Sequence, residues 1–108
     1  MKLNKLKILL TSVGRRGYII KYFREIEGVE IHACNSHFTG SLKEADYHFI
    51  SPLVHDKSYI DTLTSYCFEN KISAVMSLFD IDLIALGLNT HRFEKIKTRV
   101  LHAPHSSL

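Results

Sequence analysis

The sequence predicts an α/β fold, in the form of a three-layer α/β/α sandwich on a five-stranded parallel sheet. Short apolar runs alternate with stretches of helical period along all 108 residues. Helical connections of this length join parallel strands through right-handed crossovers. The first apolar run is followed at once by a glycine-flanked turn, Gly14–Gly17. A hydrophobic fraction of 45% and a charged fraction of 23% suit one globular domain over residues 1–108.

The first half of the chain predicts three strands and one helix. Leu6–Ser12 is an apolar run without alternation, which predicts a buried strand near the sheet centre. Val29–Asn35 alternates and predicts the second strand, and Tyr47–Ser51 predicts a short third one that Pro52 ends. The connector 36–44 contains one predicted helical turn near Leu42. The helix between the first two strands ends before Gly28 and has an apolar face of Ile19, Phe23 and Ile26.

The second half predicts two helices, the second one interrupted, and two strands. A helix begins after Ser58, with Asp56 or Ser58 as its cap and a capping box formed with Asp61. Its apolar stripe is Ile60, Leu63 and Cys67, flanked by Tyr59 and Tyr66. Strand Ser73–Phe79 leads into a helix that opens at Asp80–Asp82 and is interrupted at Asn89, with a last turn at 92–96. Thr98–Ala103 is the predicted fifth strand.

Charge and composition argue against several classes of function. A net charge of +3 with scattered basic residues does not favour nucleic acid as a partner. No apolar run approaches the ~18 residues of a membrane span, so no membrane partner is expected. The apolar run Ile8–Leu10 is also too short for the core of a signal peptide, so the location is predicted to be cytoplasmic. Cys34 and Cys67 lie in apolar patterns without CxxC spacing, which predicts buried reduced thiols. The seven histidines show no metal-ligand spacing, so no metal site is expected.

The turn after the first strand is the first candidate site. A dinucleotide loop needs glycine at three positions, but the first of them is Ser12 here and only Gly14 and Gly17 are in register. Arg15 and Arg16 are bulky where a pyrophosphate would need room. Two interpretations stay open with equal weight. One is a carboxylate or phosphate at the helix N-terminus, clamped by an arginine, and the other is a tight turn with two solvated arginines.

Polar residues at two further strand ends are the other candidates. Asp80 and Asp82 follow the fourth strand, and Asn35 ends the second. Parallel sheets place ligands at this carboxyl edge, so the carboxylates could hold an amine, a hydroxyl or a metal, and Asn35 a sugar or amide. The plainer interpretation is stronger for all three, because Asp favours helix starts and Asn commonly turns the chain.

Taken together, these segments resemble a known family. The similarity runs through ILLTSVGRRGYIIKYFREI, VEIHACNSHFTGSLKEADYHFISP, DKSYIDTLTSYCFENKISAVMSLFDIDL and HRFEKI. In their order and spacing they resemble the Rossmann-like N-terminal, pre-ATP-grasp domain of ATP-grasp ligases, most closely the group like the carbamoyl-phosphate synthase large subunit. The resemblance covers essentially the whole chain.

The resemblance implies an ATP-dependent carboxylate–amine ligase that works through an acyl phosphate. It places an anionic small-molecule substrate against Gly14, Arg15, Arg16, Asn35, Asp80 and Asp82. ATP and Mg²⁺ would belong to the complete enzyme, with no cofactor and no catalytic residue in this chain. The ATP-grasp domain is absent from these 108 residues, so we expect them to be inactive alone and to partner that domain or a separate chain. A stand-alone small-ligand or nucleotide-binding module and a non-catalytic docking subunit remain the alternatives.

Overall fold

The computed structural model describes residues 5–101, and within that range the chain forms an α/β fold with five strands. The strands are β1 Leu6–Thr11, β2 Val29–Asn35, β3 Tyr47–Ile50, β4 Ala74–Ser77 and β5 Arg99–Leu101. The helices are α1 Gly17–Arg24, α2 Tyr59–Asn70, α3 Asp80–Leu88 and α4 Thr90–Lys95, with a short 3₁₀ helix at Gly40–Glu44. The predicted end of the fifth strand at Ala103 lies outside the described residues. No helix in the described range is long and apolar enough to cross a membrane.

The sheet has the order β3-β2-β1-β4-β5, and every neighbouring pair is parallel. On β1, Leu9 lies opposite His32 of β2 and Val75 of β4. The prediction of a parallel sheet with its first strand at the centre is therefore confirmed. This order puts the carboxyl ends of β1, β2 and β4 side by side, where the chain leaves the sheet in polar loops.

Alternation along β1 divides the core between the two faces of the sheet. Leu9 packs on one face with Leu63 and Cys67 of α2, in a cluster that also holds Leu86 of α3 and Phe93 of α4. Ile8 and Leu10 point to the other face, where Ile20 of α1 and Leu42 of the 3₁₀ helix cover them. Helices therefore cover both faces, as the three-layer prediction requires.

Helix α1 is shorter than predicted, which changes its buried face. It ends at Arg24, so Ile26 lies beyond it and is 46% exposed. Ile20 is fully buried and Phe23 is half-buried, so the predicted face of Ile19, Phe23 and Ile26 is correct only in part. The strand after Gly28 starts too soon for another helical turn, and Gly28 takes a φ of +84° to reverse the chain.

The predicted capping box at α2 does not form. Asp56 Oδ1 instead accepts hydrogen bonds from the Ser58 amide at 2.8 Å and the Ser58 hydroxyl at 2.7 Å. These bonds hold the pKa of Asp56 below its usual range. The Ser58 hydroxyl is thereby used in the turn before the helix and does not cap α2. The helical turn in the connector and the break at Asn89 are both found close to their predicted positions.

Candidate functional site

A cleft of about 350 Å³ lies across the carboxyl edge of the sheet. It is lined by residues that follow four strands, so each wall comes from a different loop. The polar lining consists of Ser12, Gly14, Arg16, Asn35, Ser36, Ser51, His55 and Asp82. Pro52, Leu53, Val54, Phe79 and Ile81 supply the apolar part. Four of the six predicted site residues, Gly14, Arg16, Asn35 and Asp82, thus meet in one cleft.

The turn after β1 enters the cleft through two residues with left-handed backbone. Ser12 has a φ of +53° and Gly14 one of +52°. A side chain at Gly14 would meet only Arg16 Nη1, at 3.6 Å, so it is the backbone angle and not lack of space that calls for glycine. Ser12 occupies the first fingerprint position without being glycine, and its hydroxyl donates to the Asp82 carboxylate. That bond offsets part of the left-handed strain, which is about 1–2 kcal/mol.

Asn35 is buried and holds the turn from the side. Its Oδ1 accepts a hydrogen bond from the Gly14 amide at 3.1 Å, and its Nδ2 donates to the His37 carbonyl at 3.0 Å. Thr39 Oγ1 also donates to the Gly14 carbonyl, at 2.7 Å. Asn35 therefore positions the loop between β1 and α1, and both ends of its amide are already bonded within the protein.

Asp82 ties three elements together beneath the cleft. Its side chain is 1% exposed, and Oδ2 accepts bonds from Ser12 Oγ and, at 2.8 Å, from Tyr59 Oη. The N-cap position of α3 is Phe79, so Asp82 is not the cap, but it does lie in the first turn of the helix, as the plainer interpretation also allowed. A buried carboxylate needs such donors to offset its desolvation. Asp80 begins α3, and its side chain lies outside what the structure describes.

The two adjacent arginines differ in position. Arg16 is half-buried and lines the cleft, whereas Arg15 is exposed and does not line it. Among the carboxylates whose side chains the structure describes, which leaves out Asp80, none lies within 4 Å of the Arg16 guanidinium. Arg16 thus brings a positive charge to the cleft, next to the left-handed turn at Gly14. A bidentate guanidinium is well suited to a carboxylate or phosphate ligand.

The Tyr59 hydroxyl and the Cys34 thiol beneath the cleft are held in their protonated forms. Burial raises the pKa of Tyr59, and the negative charge of Asp82 raises it further. Burial also raises the pKa of the Cys34 thiol, to about 12, although the Ser51 side chain hydrogen-bonds it. Such a thiol is a poor nucleophile at neutral pH. Both predicted buried thiols are confirmed, since Cys34 and Cys67 are buried and unpaired.

The sequence interpretation missed Tyr59, which it placed beside the apolar stripe of α2. Tyr59 is 2% exposed and reaches Asp82 across the core. Its spacing held the signal, because Tyr59, Leu63 and Cys67 follow one another at four-residue steps on one helix face. The 51–55 segment after β3, which forms the opposite wall of the cleft, was also missed. It was interpreted only as the end of a strand and the entry to a helix.

A parallel sheet with β1 at its centre and a polar cleft across the ends of four strands defines a Rossmann-like α/β domain. The model of the family described as "PylC-like, N-terminal domain" matches residues 8–101. The chain therefore belongs to this family, whose members are pre-ATP-grasp domains of ATP-grasp ligases. No curated protein matches the chain.

The family match confirms the resemblance to the N-terminal domain of ATP-grasp ligases. It runs from the third residue of β1 to the end of β5 and includes every residue of the cleft. The more specific likeness to the carbamoyl-phosphate synthase large subunit remains a prediction.

Proposed function

We propose that this domain forms the substrate-side wall of the active site in an ATP-dependent carboxylate–amine ligase that resembles carbamoyl-phosphate synthase. In such a ligase a carboxylate becomes an acyl phosphate as ATP becomes ADP, and an amine then displaces the phosphate. The observation that carries the proposal is the family match over residues 8–101. The catalytic step requires an ATP-grasp domain, so the 108 residues are proposed to be inactive alone.

In this proposal Arg16 binds the anionic group of the substrate. It is the half-buried guanidinium in the lining of the cleft, beside the left-handed turn at Gly14. The Gly14 backbone lies beside it, and Asn35 fixes the conformation of that turn. Asp82 acts from below by holding Ser12 in place. Arg15 and Asp80 remain predicted contacts, and Arg15 would have to reach the ligand from the exposed side of the turn.

The described residues do not fit a magnesium site. Among the side chains that the structure describes in residues 5–101, which leaves out Asp80, no group of three His, Cys, Asp or Glu is placed to hold a metal ion. The buried carboxylate of Asp82 already accepts two hydroxyl hydrogen bonds. ATP and Mg²⁺ are therefore proposed to bind to the ATP-grasp domain and not to the carboxylates of this chain.

The test uses this domain together with the ATP-grasp polypeptide encoded with it, in one chain or two. With a carboxylate labelled with ¹⁸O, an acyl-phosphate route transfers one label to the released phosphate. Hydroxylamine in place of the amine should give a hydroxamate. ADP release that needs no carboxylate, or phosphate that carries no label, would contradict the proposal.

A matched pair of variants locates the substrate wall. Arg16→Ala is expected to raise the KM for the carboxylate about tenfold, because a charge-assisted hydrogen bond is worth about 1.5 kcal/mol or more. Arg15→Ala removes the same charge from the same turn and should change KM much less. Equal effects of the two substitutions would show that Arg16 acts only through net charge.

One observation favours the alternative of a docking subunit. Helix α3 presents Ile81, Ile84 and Leu88 on one face beside the cleft, exposed by 43%, 66% and 74%. Apolar side chains at these spacings form a stripe that a partner could cover. Activity restored by mixing this chain with a separate ATP-grasp chain would support docking. A ligand bound by this chain alone, with no such partner, would favour the stand-alone module.

A further inference from the structure

A second depression lies at the opposite, amino-terminal edge of the sheet. This groove has a volume of about 780 Å³, within the range of small-molecule sites. It lies between the end of α2 and the end of α4, beside the start of β4. Its lining comprises Phe68, Glu69, Lys71, Ile72, Ser73, Lys95, Ile96 and Lys97. Neither the family match nor the proposed ligase function assigns it a role.

The groove combines an apolar floor with a surplus of positive charge. Three lysines and one glutamate line it. Ile72 and Ile96 supply part of the apolar lining, and Phe68, which is 67% exposed, also lines the groove. A fourth cation, Arg99, lies in an adjoining depression shared with Ser73 and Lys97, where Glu94 is the acidic residue. An exposed ring beside several ammonium groups matches an anion attached to an apolar body.

Two of the three lysines occupy positions that normally favour glycine. Lys71 has a φ of +54° and Lys97 one of +66°. Each follows a helix and closes it with the same pair of bonds. After α2, the Lys71 amide donates to the Phe68 carbonyl and the Ile72 amide donates to the Cys67 carbonyl. After α4, the Lys97 amide donates to the Glu94 carbonyl and the Thr98 amide donates to the Phe93 carbonyl. This is the Schellman motif, whose left-handed position is usually glycine because side chains there are strained.

Helix stability alone does not explain both lysines. A cation near a helix C-terminus is favourable, and Lys71 can serve α2 in this way. Helix α4, however, already has Lys95 and Arg92 in its last turn, and these cations interact favourably with the helix dipole. Lys97 therefore adds backbone strain without being needed for that interaction. Strained side chains that converge on one cavity are typical of positions kept for function.

We propose that this groove binds an organic anion with an aromatic or apolar body, such as an aryl phosphate or aryl carboxylate. Lys71, Lys95 and Lys97 neutralise the anionic group, and the Phe68 ring packs against the apolar part. Such a site lies at the opposite end of the sheet from the cleft, so its ligand is not the proposed ligase substrate. A failure of the ligase proposal would leave it untouched.

The test is an amide NMR titration of this chain with phenyl phosphate, inorganic phosphate and benzyl alcohol. Phenyl phosphate should shift the amides of residues 68–73 and 95–97 saturably, whether or not it also shifts Gly14 and Ser36 of the cleft. Inorganic phosphate and benzyl alcohol should each bind about fivefold more weakly, because each lacks one half of the recognition. Shifts confined to the cleft, or no saturable shift, would overturn the proposal.

Variants separate this site from general attraction of anions to a basic protein. Lys97→Gly should weaken phenyl phosphate at least about threefold while leaving the midpoint of urea unfolding equal or higher, since glycine suits the backbone. Phe68→Ala should remove the preference for phenyl phosphate over inorganic phosphate. The control is Lys21→Gln, which removes an exposed lysine on α1. Equal weakening by Lys21→Gln and Lys97→Gly would overturn the proposal.

Discussion

The cleft and the groove lie at opposite ends of one sheet, and each contains non-glycine residues with left-handed backbone. In the cleft, Ser12 takes this conformation and its hydroxyl bonds the buried Asp82. In the groove, Lys71 and Lys97 take it with side chains exposed at the surface. The strain at Ser12 is thus offset inside the fold, whereas the strain at the lysines is not. The difference predicts opposite responses to substitution at the two ends.

The largest effect is expected from Asp82→Ala. This change leaves the Ser12 and Tyr59 hydroxyls without their acceptor in the core, and should reduce the free energy of unfolding by about 3 kcal/mol. Urea unfolding measures it. Asp61→Ala is the control, since Asp61 is a surface partner of Arg92 with 68% of its side chain exposed, and should cost less than about 1 kcal/mol. If Asp82→Ala reduced the free energy of unfolding by no more than Asp61→Ala does, Asp82 would not stabilise the cleft.

Alkaline pH should destabilise the core on the Leu9 face of the sheet, which holds both thiols. Burial raises the pKa of Cys34 and of Cys67 to about 12 from 9.0. The unfolded thiols therefore lose their protons first, so stability is complete below pH 9 and falls as pH rises towards 12. By pH 11 the loss is on the order of 2 kcal/mol for each thiol.

Cys34→Ala and Cys67→Ala isolate these contributions. Each should flatten the decline in stability between pH 9 and pH 11 by a similar amount, as followed by urea unfolding at a series of pH values. Native thiols should also react slowly with a disulfide reagent at neutral pH. A decline that neither substitution changes would show that other groups, such as lysines, cause it.

Ser12 provides the direct measure of strain in the cleft. Ser12→Ala loses the bond to Asp82 and keeps the left-handed backbone, so a loss of about 1.5 kcal/mol is expected. Ser12→Gly loses the same bond but relieves the strain, and should be more stable than Ser12→Ala by about 1 kcal/mol. If the two variants were equally stable, the turn would carry no strain for the hydroxyl to offset.

The parts of the molecule that the sequence predicted are those set by local pattern. Runs such as Leu6–Ser12 and Val29–Asn35 show their strands through apolar content, and crossover length then predicts that the strands are parallel. Asn35 and Asp82 were predicted at the carboxyl edge because strand ends define it. The individual roles depended on contacts distant in sequence. Tyr59 points into the core, where its hydroxyl donates a hydrogen bond to Asp82, and this contact is visible only in the three-dimensional structure.

Features without a residue signature could not be predicted. Arg15 and Arg16 are chemically alike, and the turn at Ser12–Gly14 decides which of them faces the cleft. A Schellman motif is normally recognised by its glycine, so lysine at both positions concealed the two helix ends that form the groove. In both cases the backbone conformation holds the information, and the side chain does not reveal it.

The smallest expected effect belongs to the groove and has the opposite sign. Lys97→Gly relieves a φ of +66° and sacrifices a dipole contribution that Lys95 already supplies, so the free energy of unfolding should rise by about 0.5 kcal/mol. Lys71→Gly should gain less, because α2 has no other cation in its last turn. Lys97→Ala keeps the strain and serves as the control. Urea unfolding of the three variants would rank Lys97→Gly above Lys71→Gly and Lys97→Ala. A loss of stability in Lys97→Gly would mean that the lysine stabilises the fold. Its presence at this position would then need no ligand to explain it.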